Sequence, residues 1–372
     1  MKVPLSRPDI TQKEIDAVIE VLKSDILSIG PKIEEFERKV ADYVGKKYAI
    51  AVNSGTSALH LIVRSLGIKD GDEVITTPFT FIASVNCFLF ERAKPVFVDI
   101  DPDTLNMDID KIEEKITEKT KAILTVDVFG QPMDMEKVNE IAKKYSLKVI
   151  EDSCEALGSE YKGIKAGTLC DAGAFAFYPN KQITTAEGGV IVTDNEEIAQ
   201  LSRSMRSQGR PITGLWLEHE RLGFNYRLSE LHAALGIVQL ERIEEIIKRR
   251  SEIAEKYNER LRDVKGVKIP YIAPEVNKMS WFVYVIRVDE NIDRDKVMQY
   301  LIDNGIGCRP YFTPVHLQSY IKELTGHKEG DFPITEKVAR STIALPFFNK
   351  ITDEQIDYVV DKLKEAIKIY SR

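Results

Sequence analysis

Short apolar runs alternate with amphipathic segments along much of the first half of the chain, and this alternation constrains the fold more than any other feature. The order is "YAIAV", "TSALHLIVRSLG", "DEVITT", "FIASVNCFLF", "PVFVDI", "KAILTVDV", "MEKVNEIAKKY" and "LKVIED". Apolar runs of this length, separated by helical patterns, are typical of strands that are buried on both faces. The sequence therefore predicts an α/β fold, with a large, mostly parallel sheet covered by helices on both faces.

The later part of the chain has a different pattern. The stretch "SELHAALGIVQLERIEEIIKRRSEIAEKYNERLRDV" is predicted to be one long helix that carries the chain away from the sheet. After about residue 265 the pattern indicates a smaller α+β domain, and 372 residues are enough for two domains. We expect an N-terminal segment, 1–30, to pack on the small domain, with 31–245 forming the large domain and 246–372 the small one.

Composition limits the classes of partner. The formal net charge of −7 argues against binding to nucleic acid or to an anionic membrane surface, because both need clustered Lys and Arg. There is no apolar run long enough to span a membrane and no secretory leader pattern at the start, so a cytoplasmic protein with small-molecule partners is expected. Cys87, Cys154, Cys170 and Cys308 show no zinc spacing and are predicted to be buried thiols rather than metal ligands.

One predicted strand end is suited to an anion. After "YAIAV" comes "NSGTSALHL", in which Gly55, Thr56 and Ser57 open a helix. Backbone N–H groups and hydroxyls at such a position can hold a phosphate, although an ordinary strand-to-helix turn with a Ser or Thr cap gives the same pattern.

Two other strand ends carry carboxylates and aromatic rings. Glu151 and Asp152 end a strand that should be buried, so one of them is expected to meet a cation or a protonated nitrogen, unless both are paired structurally. Phe79 and Phe81 bracket Thr80 after another strand. Such rings are usually core residues, and the alternative is a face on which a flat ring stacks.

Lys181 connects these features. It lies in "FAFYPNKQITTAEGGVIVTD", between an aromatic strand and a second apolar run, where a surface lysine would be out of place. A phosphate site, a carboxylate, an aromatic ring and an amine are together what pyridoxal phosphate needs. Its aldehyde bonds to an amine, and its pyridine nitrogen needs an anion. Lys181 is thus predicted to be a buried nucleophile.

The ordered motifs "NSGTSALHL", "TPFTFIASVN", "EDSCEALGSEYKG", "FYPNKQITTAEGGVIVTD" and "LGFNYRLSELHAALGIVQLERI" resemble the DegT/DnrJ/EryC1/StrS family of pyridoxal phosphate-dependent sugar aminotransferases. The likeness covers nearly the whole chain and implies the fold type I aspartate aminotransferase architecture. It makes Lys181 the lysine that bonds to the cofactor, Asp152 the partner of the pyridine nitrogen and Phe81 the stacked aromatic ring. Thr56, and Ser57 through its backbone, would hold the phosphate.

The resemblance also implies a homodimer with shared active sites. In the family, the asparagine of the "GFNYR" motif, here Asn225, reaches the phosphate of the neighbouring subunit. Gly30 in "LSIGP", and Tyr311 and His316 in "RPYFTPVH", are expected to belong to a nucleotide-sugar pocket.

Two residues depart from the family pattern. Ala176 stands where the family commonly has a serine that contacts the phosphate, so one contact is lost or is supplied elsewhere. Glu155 stands where Gln or His usually lies near the phenolic oxygen of the cofactor. A carboxylate there would compete with that oxygen unless it is protonated or turned away.

The implied reaction transfers an amino group from glutamate to a keto group of a nucleotide-linked hexose. A related sugar dehydratase is disfavoured, because those family members replace the lysine with histidine and this chain has Lys181. A cyclitol or another sugar-like ketone as acceptor, and a non-catalytic regulatory binding protein, stay open as alternatives.

Overall fold

The structure, a computed structural model, describes residues 1–211 and 217–371. The helices are α1 Gln12–Leu22, α2 Pro31–Val44, α3 Gly55–Ser65, α4 Ala83–Leu89, α5 Met135–Tyr145, α6 Glu196–Arg206, α7 Glu230–Glu241, α8 Ile243–Leu261, α9 Arg294–Asp303, α10 Ser319–Thr325, α11 Pro333–Ser341 and α12 Asp353–Tyr370. The strands are β1 Tyr48–Val52, β2 Glu73–Thr76, β3 Lys94–Phe97, β4 Thr120–Val126, β5 Lys148–Asp152, β6 Glu160–Tyr161, β7 Ile164–Lys165, β8 Ala172–Ala176, β9 Gly189–Thr193, β10 Val267–Lys268, β11 Val276–Lys278, β12 Tyr284–Val288 and β13 Thr342–Leu345. None of these described helices is long and apolar enough to cross a membrane.

The large sheet confirms the predicted α/β class. Its strand order is β1-β9-β8-β5-β4-β2-β3, and only β9 runs antiparallel to its neighbours within the described sheet. Val126 of β4 pairs with Asp152 of β5, which in turn pairs with Ala174 of β8. The carboxyl ends of three parallel strands therefore meet at one edge of the sheet, where ligands bind in folds of this kind.

The predicted long helix is wrong in one respect, because the chain forms two helices there. Helix α7 ends at Glu241 and α8 begins at Ile243, with Arg242 between them at φ −100° and ψ 3°. The Arg242 guanidinium turns towards the N-terminal segment and pairs with Glu14 at 2.7 Å and Asp9 at 3.3 Å. These buried ion pairs with a distant part of the chain favour the break, and no local pattern in the sequence marks it.

The smaller C-terminal part is built on the antiparallel sheet β10-β12-β13, with α8, α9 and α12 contributing to its core. The first residues of the chain join it, since Val3 N–H donates to the Gly305 carbonyl and Phe347 N–H to the Leu5 carbonyl, both at 2.9 Å. Helix α1, in contrast, packs on α7. A third small sheet has the order β11-β6-β7. The division at residues 30 and 245 stays a prediction.

All four cysteines are free thiols. Cys87 and Cys308 are buried, as predicted, whereas Cys154 and Cys170 are only half-buried. Within 1–211 and 217–371, no group of three or more His, Cys, Asp or Glu side chains is arranged to hold a metal ion.

Candidate active site

A cavity of about 320 Å³ lies at the carboxyl ends of β4, β5 and β8. It brings together residues that the sequence scatters over more than 250 positions. The predicted site residues that line it are Gly55, Thr56, Phe81, Asp152, Glu155, Lys181 and Tyr311.

The amine of Lys181 faces this cavity. Lys181 follows β8 in the chain, and only 13% of its side chain is exposed. Its Nζ lies 3.5 Å from Glu155 Oε1 and 3.9 Å from the centre of the Phe282 ring. An amine held against an aromatic face and largely shielded from water is suited to act as a nucleophile and to carry a proton.

The carboxylate of Asp152 is fixed at the end of β5. Ser84 Oγ donates a hydrogen bond to its Oδ2 at 2.6 Å, and the Cys154 N–H donates to its Oδ1 at 3.1 Å. These two bonds orient a buried carboxylate towards the cavity. Ser84 was not among the predicted site residues, although the hydroxyls of Thr80 and Ser84 are four residues apart and contact each other at 2.8 Å. That helical spacing of hydroxyls beside the aromatic motif was an available signal.

Glu151 and Asp127 lie at the same strand ends as Asp152. Glu151 Oε1 accepts the Gly167 N–H at 2.7 Å, while its Oε2 is buried without a hydrogen-bond partner among the described residues. Asp127 Oδ2 accepts a hydrogen bond from Ser153 Oγ at 2.5 Å. Burial raises the pKa of both Glu151 and Asp127, and the charge of Glu151 raises the pKa of Asp127 further. Burial thus disfavours the charged form of each group.

The two phenylalanines around Thr80 have different environments. Phe79 is fully buried, and its ring packs edge-on against Phe129 and Phe312. Phe81 lines the cavity, and 60% of its surface is exposed. A large apolar side chain left open at a cavity wall is suited to stack on a flat ring.

The start of helix α3 forms another wall. Ser54 caps the helix, and its Oγ accepts the Ser57 N–H at 3.1 Å. The N–H groups of Gly55 and Thr56 have no partner within the helix, because they belong to its first turn. A side chain on Gly55 would place its Cβ 2.7 Å from the Cβ of Ala176, so this close approach requires glycine. Ser57 itself does not line the cavity.

Glu155 is turned partly away from the cavity. Its Oε2 accepts the Phe129 N–H at 2.9 Å, and its Oε1 faces Lys181. Burial raises the pKa of Glu155, although the nearby Lys181 ammonium acts in the opposite direction. The carboxyl group is therefore bonded to the backbone on one side and to the lysine on the other.

The opposite wall comes from the C-terminal part of the chain. Tyr311, Phe282 and Phe312 line the cavity there, and the pKa of Tyr311 is raised by burial and by the charge of Glu155. Asn180 also lines the cavity, and its Oδ1 is buried without a hydrogen-bond partner in the described structure. Phe282 follows "MSW" in a segment that looks like ordinary core, so nothing local indicated its place beside Lys181.

Besides Ser57, three predicted site residues lie outside the cavity. Gly30 caps α2, and its N–H donates to Glu230 Oε1 at 3.2 Å. His316 is fully buried, and its Nε2 lies 3.1 Å from Glu336 Oε1. Asn225 also does not line the cavity of its own chain. Roles for Gly30 and His316 in substrate binding, and for Asn225 in binding phosphate, stay predictions.

The cavity residues fit pyridoxal phosphate. The unpaired N–H groups at the start of α3 suit a phosphate, and the fixed carboxylate of Asp152 suits a protonated pyridine nitrogen. The open ring of Phe81 suits the flat face of the pyridine, and the amine of Lys181 suits the aldehyde. The buried, unpartnered Oδ1 of Asn180 is further evidence of a polar ligand, since buried polar atoms usually have partners.

Comparisons with known proteins identify the family of the chain. The model of the "DegT/DnrJ/EryC1/StrS aminotransferase family" matches residues 8–364. GDP-perosamine synthase of Escherichia coli O157:H7 is 39% identical over 365 residues, which cover 98% of this chain and 98% of that protein. Helicobacter pylori PseC, an aminotransferase involved in the biosynthesis of pseudoaminic acid, has a TM-score of 0.95 at 30% identity, with 100% of both chains covered. A Streptococcus pneumoniae protein classed as a sugar aminotransferase, solved in its PMP form, has a TM-score of 0.95 at 30% identity and covers 99% of this chain and 100% of its own.

Proposed function

This chain belongs to the DegT/DnrJ/EryC1/StrS aminotransferase family, and from that premise we propose that it transfers an amino group from glutamate to a keto group of a nucleotide-linked hexose. It is a pyridoxal phosphate-dependent sugar aminotransferase. The product would be a nucleotide amino sugar for a polysaccharide or glycoconjugate. The observation that carries the proposal is the meeting of Lys181, Asp152 and Phe81 in one cavity.

The phosphate group of the cofactor would bind at the start of α3. The backbone N–H groups of Gly55 and Thr56, together with the Thr56 hydroxyl, are the donors available on that wall. The positive end of the helix dipole adds to the attraction for an anion. Glycine at position 55 keeps these donors close to Ala176 on β8.

Asp152 would keep the pyridine nitrogen protonated. Its negative charge is stabilised by the hydrogen bonds from Ser84 and Cys154. Burial raises the pKa values of Glu151 and Asp127, which disfavours a competing negative charge on either group beside Asp152. When bound, pyridoxal phosphate supplies a ring that withdraws electrons from the Cα of the amino donor, so that the Cα proton can leave.

Lys181 would hold the cofactor between reactions and move the proton during them. Its Nζ is the basic atom in the cavity that can accept the Cα proton of glutamate and return it. Glu155 and Phe282 confine this amine to one region of the cavity. One residue acting in both directions explains why no histidine is needed on the cavity wall.

A groove beside the cavity provides room for a substrate larger than a hexose. A second groove of about 410 Å³ shares Thr80, Phe81 and Phe312 with the cavity wall and extends to Asn86 and Tyr320. Aromatic rings and amide groups are the side chains that bind a nucleobase by stacking and hydrogen bonding. We propose that the nucleotide part of the substrate extends into this groove.

We also propose that the enzyme is a homodimer with shared active sites. Apolar side chains are exposed on one face of α1 and in the loop that follows it: Ile15, Ile19, Leu22, Ile26, Leu27 and Ile29. An exposed set of this kind is typical of a surface that a second copy covers. The position of Asn225 outside its own cavity supports a role for it in the site of that second copy.

The proposed function can be tested with the visible absorption spectrum of the cofactor-loaded protein. Glutamate should reduce the visible absorbance and release 2-oxoglutarate, and a keto sugar linked to a nucleotide should restore the absorbance. The control is Lys181→Ala, which should show neither change. No spectral response of the wild type to glutamate would refute the choice of donor. Restoration by a cyclitol ketone, but by no nucleotide-linked ketohexose, would refute the choice of acceptor.

A further inference from the structure

Two hydrogen bonds hold Glu155 in place, one to its side chain and one to its backbone carbonyl. Its Oε2 accepts the Phe129 N–H at 2.9 Å, and its own backbone carbonyl accepts a hydrogen bond from Gln182 Nε2 at 2.5 Å. Gln182 follows Lys181 directly in the sequence. The carboxyl group and the lysine are therefore attached to the same hydrogen-bonded unit, and their separation does not depend on flexible side chains alone.

Lys181 is the only cation on the described cavity wall, and the wall also carries several anionic or acidic groups. The groups that face Glu155 are Lys181, the carboxylate of Asp152, the phenol of Tyr311 and the thiol of Cys154. Asp152 is already hydrogen-bonded to Ser84 and Cys154. Within 1–211 and 217–371, the only ion pair of Lys181 is its 3.5 Å contact with Glu155.

We propose that Glu155 is a positioning residue for Lys181, and that its carboxylate is the counter-ion that holds the amine in place while the amine carries a proton. This inference rests on the proposed function, in which Lys181 accepts and returns the Cα proton of glutamate. With the proton on Nζ, an ammonium and a carboxylate face each other at low exposure and attract strongly. When the proton leaves Nζ, the buried carboxyl group loses its counter-ion.

The arrangement explains why a carboxylate is tolerated beside the cofactor. One oxygen of Glu155 is used by the Phe129 N–H, and the other points to the lysine rather than to open cavity. Burial raises the pKa of Glu155. Burial favours the neutral carboxyl group, and the neighbouring ammonium of Lys181 favours the carboxylate.

The test uses Glu155→Gln, which keeps an acceptor for the Phe129 N–H and removes the charge. The measurement is the rate at which the apoprotein gains visible absorbance on mixing with pyridoxal phosphate, recorded from pH 5 to pH 10. Only the unprotonated amine attacks the aldehyde. We expect the midpoint of this pH profile to move to lower pH by about one unit or more in Glu155→Gln, because an anion within 4 Å favours the ammonium.

Two further variants make the result specific. Glu187→Gln removes another carboxyl group of the same cavity wall, one without an ion pair to Lys181 in the described structure, and should leave the midpoint unchanged. Glu155→Asp keeps the charge and should stay closer to the wild-type midpoint than Glu155→Gln. In the glutamate half-reaction, Glu155→Gln should lower the maximal rate at least tenfold, with a much smaller change in the glutamate concentration needed for half-maximal rate.

The outcomes separate this inference from the function it rests on. A Glu155→Gln midpoint equal to that of the wild type would overturn the counter-ion role, even if glutamate still changes the spectrum of both proteins. A shifted midpoint in a protein whose spectrum does not respond to glutamate would support the pairing and refute the choice of donor. If Glu155→Gln fails to fold, a Glu155→Asp midpoint about one unit or more below the wild-type midpoint would overturn the inference, because this variant keeps the charge.

Discussion

Replacing Phe81 with alanine should weaken cofactor binding while leaving the unloaded protein nearly as stable as before. A phenylalanine has roughly 200 Å² of surface, and 60% of Phe81 is exposed. A stacked ring would cover about half of that exposed surface, or roughly 60 Å², which is worth about 1.5 kcal/mol. The stacked geometry adds about 0.5 to 1.5 kcal/mol. The total of roughly 2 to 3 kcal/mol corresponds to about a 30- to 150-fold rise in Kd.

The assay should use pyridoxamine phosphate, which has no aldehyde and therefore reports binding without the bond to Lys181. Its Kd for apoprotein can be measured by calorimetry, and the Tm of the apoprotein by differential scanning fluorimetry. The matched control is Phe90→Ala, since Phe90 is 54% exposed and does not line the cavity. A Kd for Phe81→Ala within threefold of that for Phe90→Ala would refute the stacking argument.

Three further predictions concern the phosphate site, the buried acids and the dimer. Ala176→Ser should lower the Kd for pyridoxamine phosphate roughly fivefold, because a new hydrogen bond to the phosphate contributes about 1 kcal/mol; an unchanged Kd would mean that the phosphate does not reach this position. The raised pKa values of Glu151 and Asp127 mean that the stability they provide is complete at acidic pH and is lost as pH rises through their folded-state values. Glu151→Gln should therefore raise stability relative to wild type by roughly 1 kcal/mol at pH 9 and by little at pH 5, measured by urea denaturation; equal effects at both pH values would contradict this. Lys181→Ala and Asn225→Ala, each inactive alone, should regain roughly a quarter of wild-type activity when unfolded and refolded together, because mixed dimers would contain one intact site; no recovery would place both residues in the site of one chain.

The large sheet and the ends of its strands could be predicted from the sequence. The apolar runs of β1, β4, β5 and β9 are buried over most of their length, so local composition reports their position directly. The carboxyl ends of parallel strands meet at one edge, and this is why Asp152 and Lys181 could be placed together before any contact was known.

The remaining part of the site depends on contacts that no local pattern records. Phe282 lies beside Lys181 only because the C-terminal part of the chain packs against the large sheet. The hydrogen bond between Ser84 and Asp152 joins residues 68 positions apart. The orientation of Glu155 depends on the backbone of Phe129, so sequence alone could name the departure from the family pattern but not the direction in which the carboxyl group points.

The break at Arg242 has a mechanical consequence for the enzyme. Helix α8 starts at this break and leads into the C-terminal part of the chain, which supplies Phe282 and Tyr311 to the cavity wall. The ion pairs of Arg242 with Asp9 and Glu14 help to fix the angle between α7 and α8. The amino-terminal segment therefore helps to position the cavity wall that includes Phe282 and Tyr311. A substitution of Asp9 or Glu14, neither of which lines the cavity, would therefore alter the cavity wall through the angle of α8.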